Sequence, residues 1–361
     1  MRVALVVVAA LLGGAGCAVE MEEESLRIGA VVADCVLPVP PEVTALGAPV
    51  SLDFADGSLW IFGSTELTAP NAAGAMVLPN AAALVRTVAD ACAGRLDFVR
   101  DASGAPQPLV PLLPEEEQAN AARTDGRFLD ITPQGGFVHD RRGVLYYQQV
   151  LRGPGIFDAE VLGVGVCLAD GPGTPCVRDA TLVFAGSTPA WGGSGVVGDD
   201  GYAYVTTCFH AAAFEDLCGV ARVPPDEAAD PAAYAFYSVF GEWTTDPRNF
   251  SAVITDATRV TPGRDPALGR FTAVFPDIWE STIVLRLARD PWGGFGFRWR
   301  LFEAVPPDDW FIGGGVEHAA LRSADGLTLA VTYSTTAAAG PAGLHLVTVR
   351  LDAEALFARE D

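Results

Sequence analysis

DFADGSLWIFGST, residues 53–65, places a polar turn containing Asp56-Gly57 directly before a run of large apolar and aromatic residues. Asp-Gly supplies the positive-φ backbone of a tight hairpin, and the run that follows suits a strand. The arrangement recurs in HDRRGVLYYQQV (139–150), GDDGYAYVTTCF (198–209), FPDIWESTIVLRLA (275–288) and SADGLTLAVTYST (323–335). Further strand-like runs follow several of these: AALVRTV (82–88), EVLGVGVCLA (160–169), CGVARVP (218–224) and GLHLVTVRL (343–351). The turns are spaced irregularly, by roughly 45 to 85 residues, which excludes a short-period array of near-identical repeats. Four strands per unit with long inserted loops is what a propeller blade requires, so five units predict an all-β, five-bladed β-propeller. A two-sheet β-sandwich is the alternative, because turn-plus-strand units recur there too.

Composition agrees with an all-β reading. The 361 residues include 39 glycines and 26 prolines, and the best helical stretches, Ala81–Ala91 and Ala353–Arg359, are short. With 50% apolar and 19% charged residues and a mean hydropathy of +0.28, the chain can bury a sizeable core. The formal charge is −22, from 45 acids against 23 bases, every one of which is arginine. That balance excludes a nucleic-acid partner, which needs a basic face to displace phosphate counterions. It also disfavours adsorption of the bare domain to an anionic bilayer.

Residues 1–17, MRVALVVVAALLGGAGC, carry one arginine, an apolar run from Val3 to Leu12 and small residues ending in Cys17. This is the layout of a secretory signal, and ten apolar residues are too few to cross a bilayer. Cys17 after Gly14-Ala15-Gly16 resembles the lipobox of bacterial lipoproteins, with Gly14 where leucine is usual. The resemblance implies acylation of Cys17, and Ala18 in place of aspartate implies an outer-membrane lipoprotein of the cell envelope; plain secretion is the alternative. Residues 18–27 then form an acidic tether, and a single domain spans 28–361. Removing Cys17 leaves six cysteines, an even number that suits an oxidising compartment. Cys167 and Cys176 bracket one Gly/Pro loop, Cys208 and Cys218 bracket another, and Cys35 is left for Cys92; free buried cysteines are the alternative.

The stretch LWIFGST (59–65), the segment Phe271–Asp277 before IVLRLARDPWG (283–293), and Glu317-His318 before VTYS (331–334) resemble an uncharacterised family of bacterial secreted five-bladed β-propellers. That family is distantly related to furanosidase propellers such as arabinanases and invertases, and the resemblance covers most of residues 45–351. It implies a glycan or another cell-surface partner. The family carries Gly-Asp-Thr where this chain has Gly63-Ser64-Thr65, a lost carboxylate that favours binding over catalysis. A furanosidase-type glycoside hydrolase acting on extracellular glycans is the alternative.

Propeller glycosidases work through carboxyl groups at the channel, and two convergent acids are the minimum. Taking the strand before each turn as innermost gives VSLDF, GGFVHD, GSGVVG, FTAVFPD and VEHAALRS. Glu317 and His318 are then expected at the channel mouth of the fifth unit, against the neutral Gly135, Gly136, Gly193 and Ser194 of the second and third. First and fifth blades adjoin in a closed ring, so Ser64 and Thr65 are expected to share that mouth. Glu317 is the candidate acid, with Asp53 or Glu66 as its second carboxyl and Asp130 and Asp158 as reserves. Trp191 and Trp310, each beside a glycine-containing loop, are the candidate rings for stacking on a sugar.

Plainer readings apply to the same residues. Asp53, Asp140, Asp199, Asp200 and Asp325 sit at or beside tight turns, where aspartate caps its own backbone. Glu317 and His318 are adjacent, so on a strand they face opposite sides. Glu115, Glu116 and Glu117 read as a solvated loop in the proline-rich 105–118 segment. No metal or cofactor is predicted: Cys-x-x-Cys and His-x-x-x-His pairs, Gly-x-Ser-x-Gly and usable nucleotide-binding patterns do not occur.

Overall fold

The computed structural model describes residues 28–155, 158–178, 180–186, 189–212, 215–304, 311–337 and 340–357. The predicted signal with Cys17, the tether and Trp310 lie outside the described residues. Within them the chain is nearly all β, with α-helices only at Val88–Cys92, Pro114–Ala122 and Ala353–Phe357.

Five antiparallel sheets follow one another along the chain. The first contains Pro49–Phe54, Gly57–Phe62, Ala81–Val85 and Asp97–Phe98; the second contains Phe128–His139, Arg142–Arg152, Ala159–Ala169 and Phe184–Ala185. The third runs Gly195–Val197, Ala203–Ala212, Glu215–Val223 and Ala235–Tyr237, extended by Trp243–Thr244 and Ile254–Thr255. The fourth contains Thr261–Asp265, Arg270–Asp277, Thr282–Ala288 and Trp299–Glu303. The fifth takes Phe311–Glu317, Thr328–Ala337 and Gly340–Leu351, and its fourth strand is Gly29–Val36 from the start of the described chain. A small sheet of Val43–Leu46, Thr65–Leu67 and Val77–Leu78 stands apart.

The first strand of each sheet touches the first strand of the next, and the fifth returns to the first, so the order of contact is cyclic. The apolar core divides in the same way, one cluster between each neighbouring pair of sheets. Leu52 and Leu59 meet Leu145 and Tyr147; Tyr146 and Val164 meet Trp191 and Phe236; Cys218 and Ile254 meet Phe275 and Val284. Val274 and Leu285 meet Leu329 and Val347, and Trp60 and Phe62 meet Leu344 and Leu346. A sheet packed on both faces buries both sets of side chains, which is why these strands read as continuous apolar runs rather than alternating ones. All six residues of Gly57–Phe62 are buried.

Turn chemistry fixes the hairpins. Asp140 and Arg141 both take positive φ, 48° and 69°, as the two central residues of a type I′ turn. Gly57 has φ 149°, and a Cβ there would lie 2.6 Å from the carbonyl oxygen of Val85, so the turn needs glycine for its backbone and for its space.

Three sequence expectations are corrected. FTAVFPD is the second strand of the fourth sheet, and the first is Thr261–Asp265, paired with it from Thr261 opposite Val274. The turn after Asp277, whose Oδ1 accepts the N–H groups of Trp279 at 2.8 Å and Glu280 at 3.0 Å, joins second to third strand. Aspartate caps both kinds of turn with the same hydrogen bonds, so the pattern does not separate them. The expected helix over Ala81–Ala91 is a strand at Ala81–Val85 and a one-turn helix capped by Thr87, whose Oγ1 accepts the Asp90 N–H at 3.0 Å. Glu115–Glu117 open a nine-residue helix, Pro114–Ala122, instead of a loop. Pro114 suits the first helical position, Glu116 accepts the Leu113 N–H at 2.8 Å, and the same buried carboxylate pairs with Arg178.

All six expected cysteines are joined. Cys35–Cys92 links positions 57 residues apart, Cys167–Cys176 closes a loop of separation 9, and Cys208–Cys218 bridges directly opposed residues of one hairpin.

Candidate functional site

Two of the predicted acids, Glu317 and Asp53, lie at the C-terminal ends of first strands, joined there by Asp265, which the sequence reading does not single out. Glu317 closes Phe311–Glu317, Asp53 is the penultimate residue of Pro49–Phe54, and Asp265 closes Thr261–Asp265. Arg322 binds this end together. Its Nε donates to Glu317 Oε1 at 2.5 Å, one terminal nitrogen lies 3.2 Å from Asp265 Oδ2, and the other donates to Thr272 Oγ1 at 3.3 Å. Burial pulls the Arg322 pKa down, but Glu317, Asp265 and Asp53 together lift it above its ordinary value, so the guanidinium stays charged.

Asp53 Oδ2 accepts the Ala319 N–H at 3.0 Å. Burial raises its pKa and nearby Glu317 adds to the rise, against hydrogen bonds from Ser58, Ala320 and Ala319. A carboxyl held upward fits a general acid by its titration, but access and a partner are also needed. Glu317 is 1% exposed and held in the Arg322 ion pair. Asp53 faces a cavity of about 240 Å³ between the first strands, lined also by Ser51, Ser194, Thr261 and Arg264. The pair is therefore brought together, as expected, but Glu317 is held inside a charge cluster while Asp53, partly exposed, borders it at the cavity.

His318 is fully buried, stacked on Trp60 at 4.4 Å between ring centroids, with Nε2 2.9 Å from Thr332 Oγ1 and Nδ1 3.5 Å from Ser58 Oγ. Burial lowers its pKa to about 3. A depressed histidine pKa means the unfolded chain takes up the proton first, so this stability is fully present above pH 6.5 and is lost as pH falls toward 3. Asp53 works in the opposite sense. The unfolding free energy of the wild type, read by denaturant titration, is expected to fall between pH 7 and pH 5 at up to about 1.4 kcal/mol per pH unit from His318, and to fall less in His318→Gln. Equal falls in both proteins contradict a neutral, buried imidazole.

The remaining predicted residues separate. Ser58 pairs with Asp53 across the first hairpin, whereas Ser64, Thr65 and Glu66 follow the far end of that second strand. Four strand steps from Ser58 to Phe62 span about 13 Å, and Ser64 and Thr65 lie beyond that end, past a bend and into the small separate sheet, so they do not share a mouth with Glu317 and His318. Glu317 misled because it ends its strand rather than starting it. Thr65 is buried and its hydroxyl donates to the Gly63 carbonyl at 3.0 Å; Glu66 is exposed, accepting from Thr44 at 3.4 Å. Neither is positioned as partner to Glu317. Asp130 is paired with Arg152, and Asp158 lies 4.0 Å from Arg127. Trp191 is no exposed platform: it is 1% exposed, its Nε1 donates to Pro247 O at 2.9 Å, and Phe209, Phe236 and Phe250 surround it. Trp310 lies outside the described residues.

A larger recess opens at the other pole, around the N-terminal ends of the first strands of the second, third and fourth sheets. It has a volume of about 690 Å³ and is lined by residues including Gln134, Gln148, Glu160, Thr206, Phe209 and Arg259. Gln148 and Thr206 come from second strands, and Arg259 lies two residues before the first strand of the fourth sheet. Gly192, with φ 137°, forms part of the wall; its N–H donates to Thr207 Oγ1 at 3.0 Å, and a Cβ there would meet Val164 at 2.5 Å. The cleft offers hydrogen-bonding groups over one aromatic edge, Phe209. Among its described lining residues Glu160 is the only carboxylate, and it is 3.2 Å from Arg127. The sequence reading places the mouth at the early ends of the first strands, and Gly193 and Ser194 do line this cleft, but it misses the polar residues: nothing in TRVTPGRD distinguishes Arg259 from the other arginines, and Gln134 and Gln148 belong to no motif.

No family model matches the chain, and no curated protein matches it. Among solved structures, a provisionally assigned hydrolase from Bacteroides ovatus ATCC 8483 superposes with a TM-score of 0.56 at 14% identity, over 92% of this chain and 90% of that one. A protein of unknown function from Dyadobacter fermentans DSM 18053 gives 0.48 at 10% identity, over 90% and 99%. A GH43 β-xylosidase/α-arabinofuranosidase from a compost microbial metagenome, in complex with xylotriose, gives 0.48 at 13% identity, over 90% and 95%. The first likeness, at 14% identity, shows a shared fold.

Proposed function

We propose that the domain is a five-bladed β-propeller that binds carbohydrate in the cleft at the N-terminal ends of its first strands, without hydrolysing it. Cyclic contact of the first strands, one core between each adjacent pair of sheets, and completion of the last sheet by Gly29–Val36 support the propeller over a two-sheet sandwich. The observation that carries the functional reading is the makeup of the cleft. Gln148 and Thr206 make no side-chain hydrogen bond among the described residues, leaving polar groups unspent beside the Phe209 ring. Saccharide hydroxyls satisfy such groups, and an aromatic edge covers the apolar face of a sugar ring. Glycoside hydrolysis asks for two carboxyls about 5 to 9.5 Å apart. One paired glutamate does not supply them, and Asp53 and the buried Glu317 belong to the opposite pole. The domain would act at the cell envelope, held by a lipid on Cys17.

A glycan array followed by titration and a reducing-sugar assay tests this. Binding without turnover is expected, with Gln148→Ala weakening binding about fivefold, the value of one neutral hydrogen bond near 1 kcal/mol. Robust hydrolysis lost on Glu160→Gln overturns the non-catalytic reading, and a silent array overturns carbohydrate binding. Membrane fractionation of Cys17→Ser supplies the test of anchoring: the protein is expected to move to the soluble fraction.

A further inference from the structure

We infer that the carbohydrate taken by this cleft is acidic, carrying a carboxylate that seats against Arg259; the inference rests on the binding reading above and specifies its ligand. Arg259 lines the cleft, is half-buried, and makes no ion pair or hydrogen bond among the described residues. The other ionisable side chains in the described lining have partners: Glu160 meets Arg127 at 3.2 Å, and His210 meets Asp216 at 3.0 Å. In a chain of 45 acidic residues and 23 arginines, a cation left without a carboxylate stands against the composition. Other arginines of the fold with comparable or greater burial, Arg178 and Arg322, are matched to Glu116 and to Glu317 with Asp265.

Removing a guanidinium from water without a counter-charge is unfavourable, and the depression of the Arg259 pKa by burial expresses that cost. A planar carboxylate restores two parallel N–H···O bonds to it, a geometry that a sugar hydroxyl does not match. Gln148 and Thr206 then remain for the neutral hydroxyls of the same saccharide. The net charge of −22 does not preclude an anionic ligand, because exposed charges beyond about 8 Å are largely screened at physiological salt. The wall is also rigid where it matters: Cys208, beside Thr207 and Phe209, is tied to Cys218 across the hairpin.

Calorimetric titration of the purified full chain with trigalacturonate and with xylotriose, each at low and high salt, tests the assignment. Trigalacturonate is expected to bind at least tenfold more tightly than xylotriose, with the advantage shrinking as salt rises. Arg259→Gln is expected to remove that advantage, and Arg259→Lys to retain part of it; unchanged thermal unfolding confirms that both variants are folded. Equal affinities in the wild type, or an advantage that survives Arg259→Gln, overturn the acidic ligand and leave carbohydrate binding standing. Failure of both saccharides to bind overturns the acidic ligand together with the carbohydrate reading on which it rests.

Discussion

Arg322→Met is expected to lower the unfolding free energy by about 3 to 5 kcal/mol, the usual cost of removing one partner from a buried ion pair. The methionine approximates the volume of the arginine stem, so packing changes little and the charge carries the effect. Without the guanidinium, Glu317 and Asp265 are left with side chains 1% and 0% exposed and no counter-charge, with the Asp53 carboxyl nearby. Thr272 Oγ1 and the Arg264 carbonyl lose their donors in addition. The site does not relax by admitting water cheaply, because a Cβ on Gly263 would already touch Thr272 and both Arg322 and Glu317 within 3.4 Å. Denaturant titration reads the loss. Adding Glu317→Gln to Arg322→Met should recover part of it, since the second change removes one of the stranded charges. A loss below about 1 kcal/mol, with no recovery in the double variant, shows that the cluster is solvated and that Arg322 is not its keystone.

The fold was legible because turn and strand chemistry are local. Asp56-Gly57 and the Asp140-Arg141 turn announce hairpins from within a few residues, and double-sided burial leaves runs such as GSLWIF and VLYY plain to see. The paired cysteines followed from parity and proximity. What failed depends on direction and depth. Glu317 at the start or the end of a strand is the same letter, yet the two placements differ by a whole strand length and by the pole of the molecule. Trp191 beside glycines suggested exposure, but glycine there lets Tyr146 and Val164 close in around the cleft wall. The turns after Asp265 and Asp277 use identical capping, each Oδ1 accepting the N–H groups two and three residues on, so the sequence pattern places the fourth unit one strand late. Gln148 and Arg259 carry no local signal, because their meaning arises only when second strands and a pre-strand residue from different sheets line one recess.

Loss of the Cys35–Cys92 bridge, through the double change Cys35→Ser and Cys92→Ser, is expected to cost about 4 kcal/mol, from the restriction that closing a loop of this length places on the unfolded chain. The two short bridges close loops of separation 9 and 10 and by the same relation contribute about 3 kcal/mol each. The more telling difference is position. Gly29–Val36 pairs with Gly340–Leu351 to finish the fifth sheet, so the two ends of the described chain meet in one ladder. Most residues of that strand are exposed, among them Val31, Val32 and Val36, so apolar burial does little to hold it. Cys92 ends the helix beside the first sheet and packs with Cys35 against the cluster of Trp60, Phe62 and Leu344. The bridge thus ties the strand that completes the last sheet to the sheet that begins the series. Native-state hydrogen exchange should therefore show amides of 29–36 losing protection first in the double variant, before any change at the Cys208–Cys218 hairpin. If protection there is unchanged and the stability loss is under about 1 kcal/mol, the ladder to Gly340–Leu351 holds the closing strand without help from the disulfide.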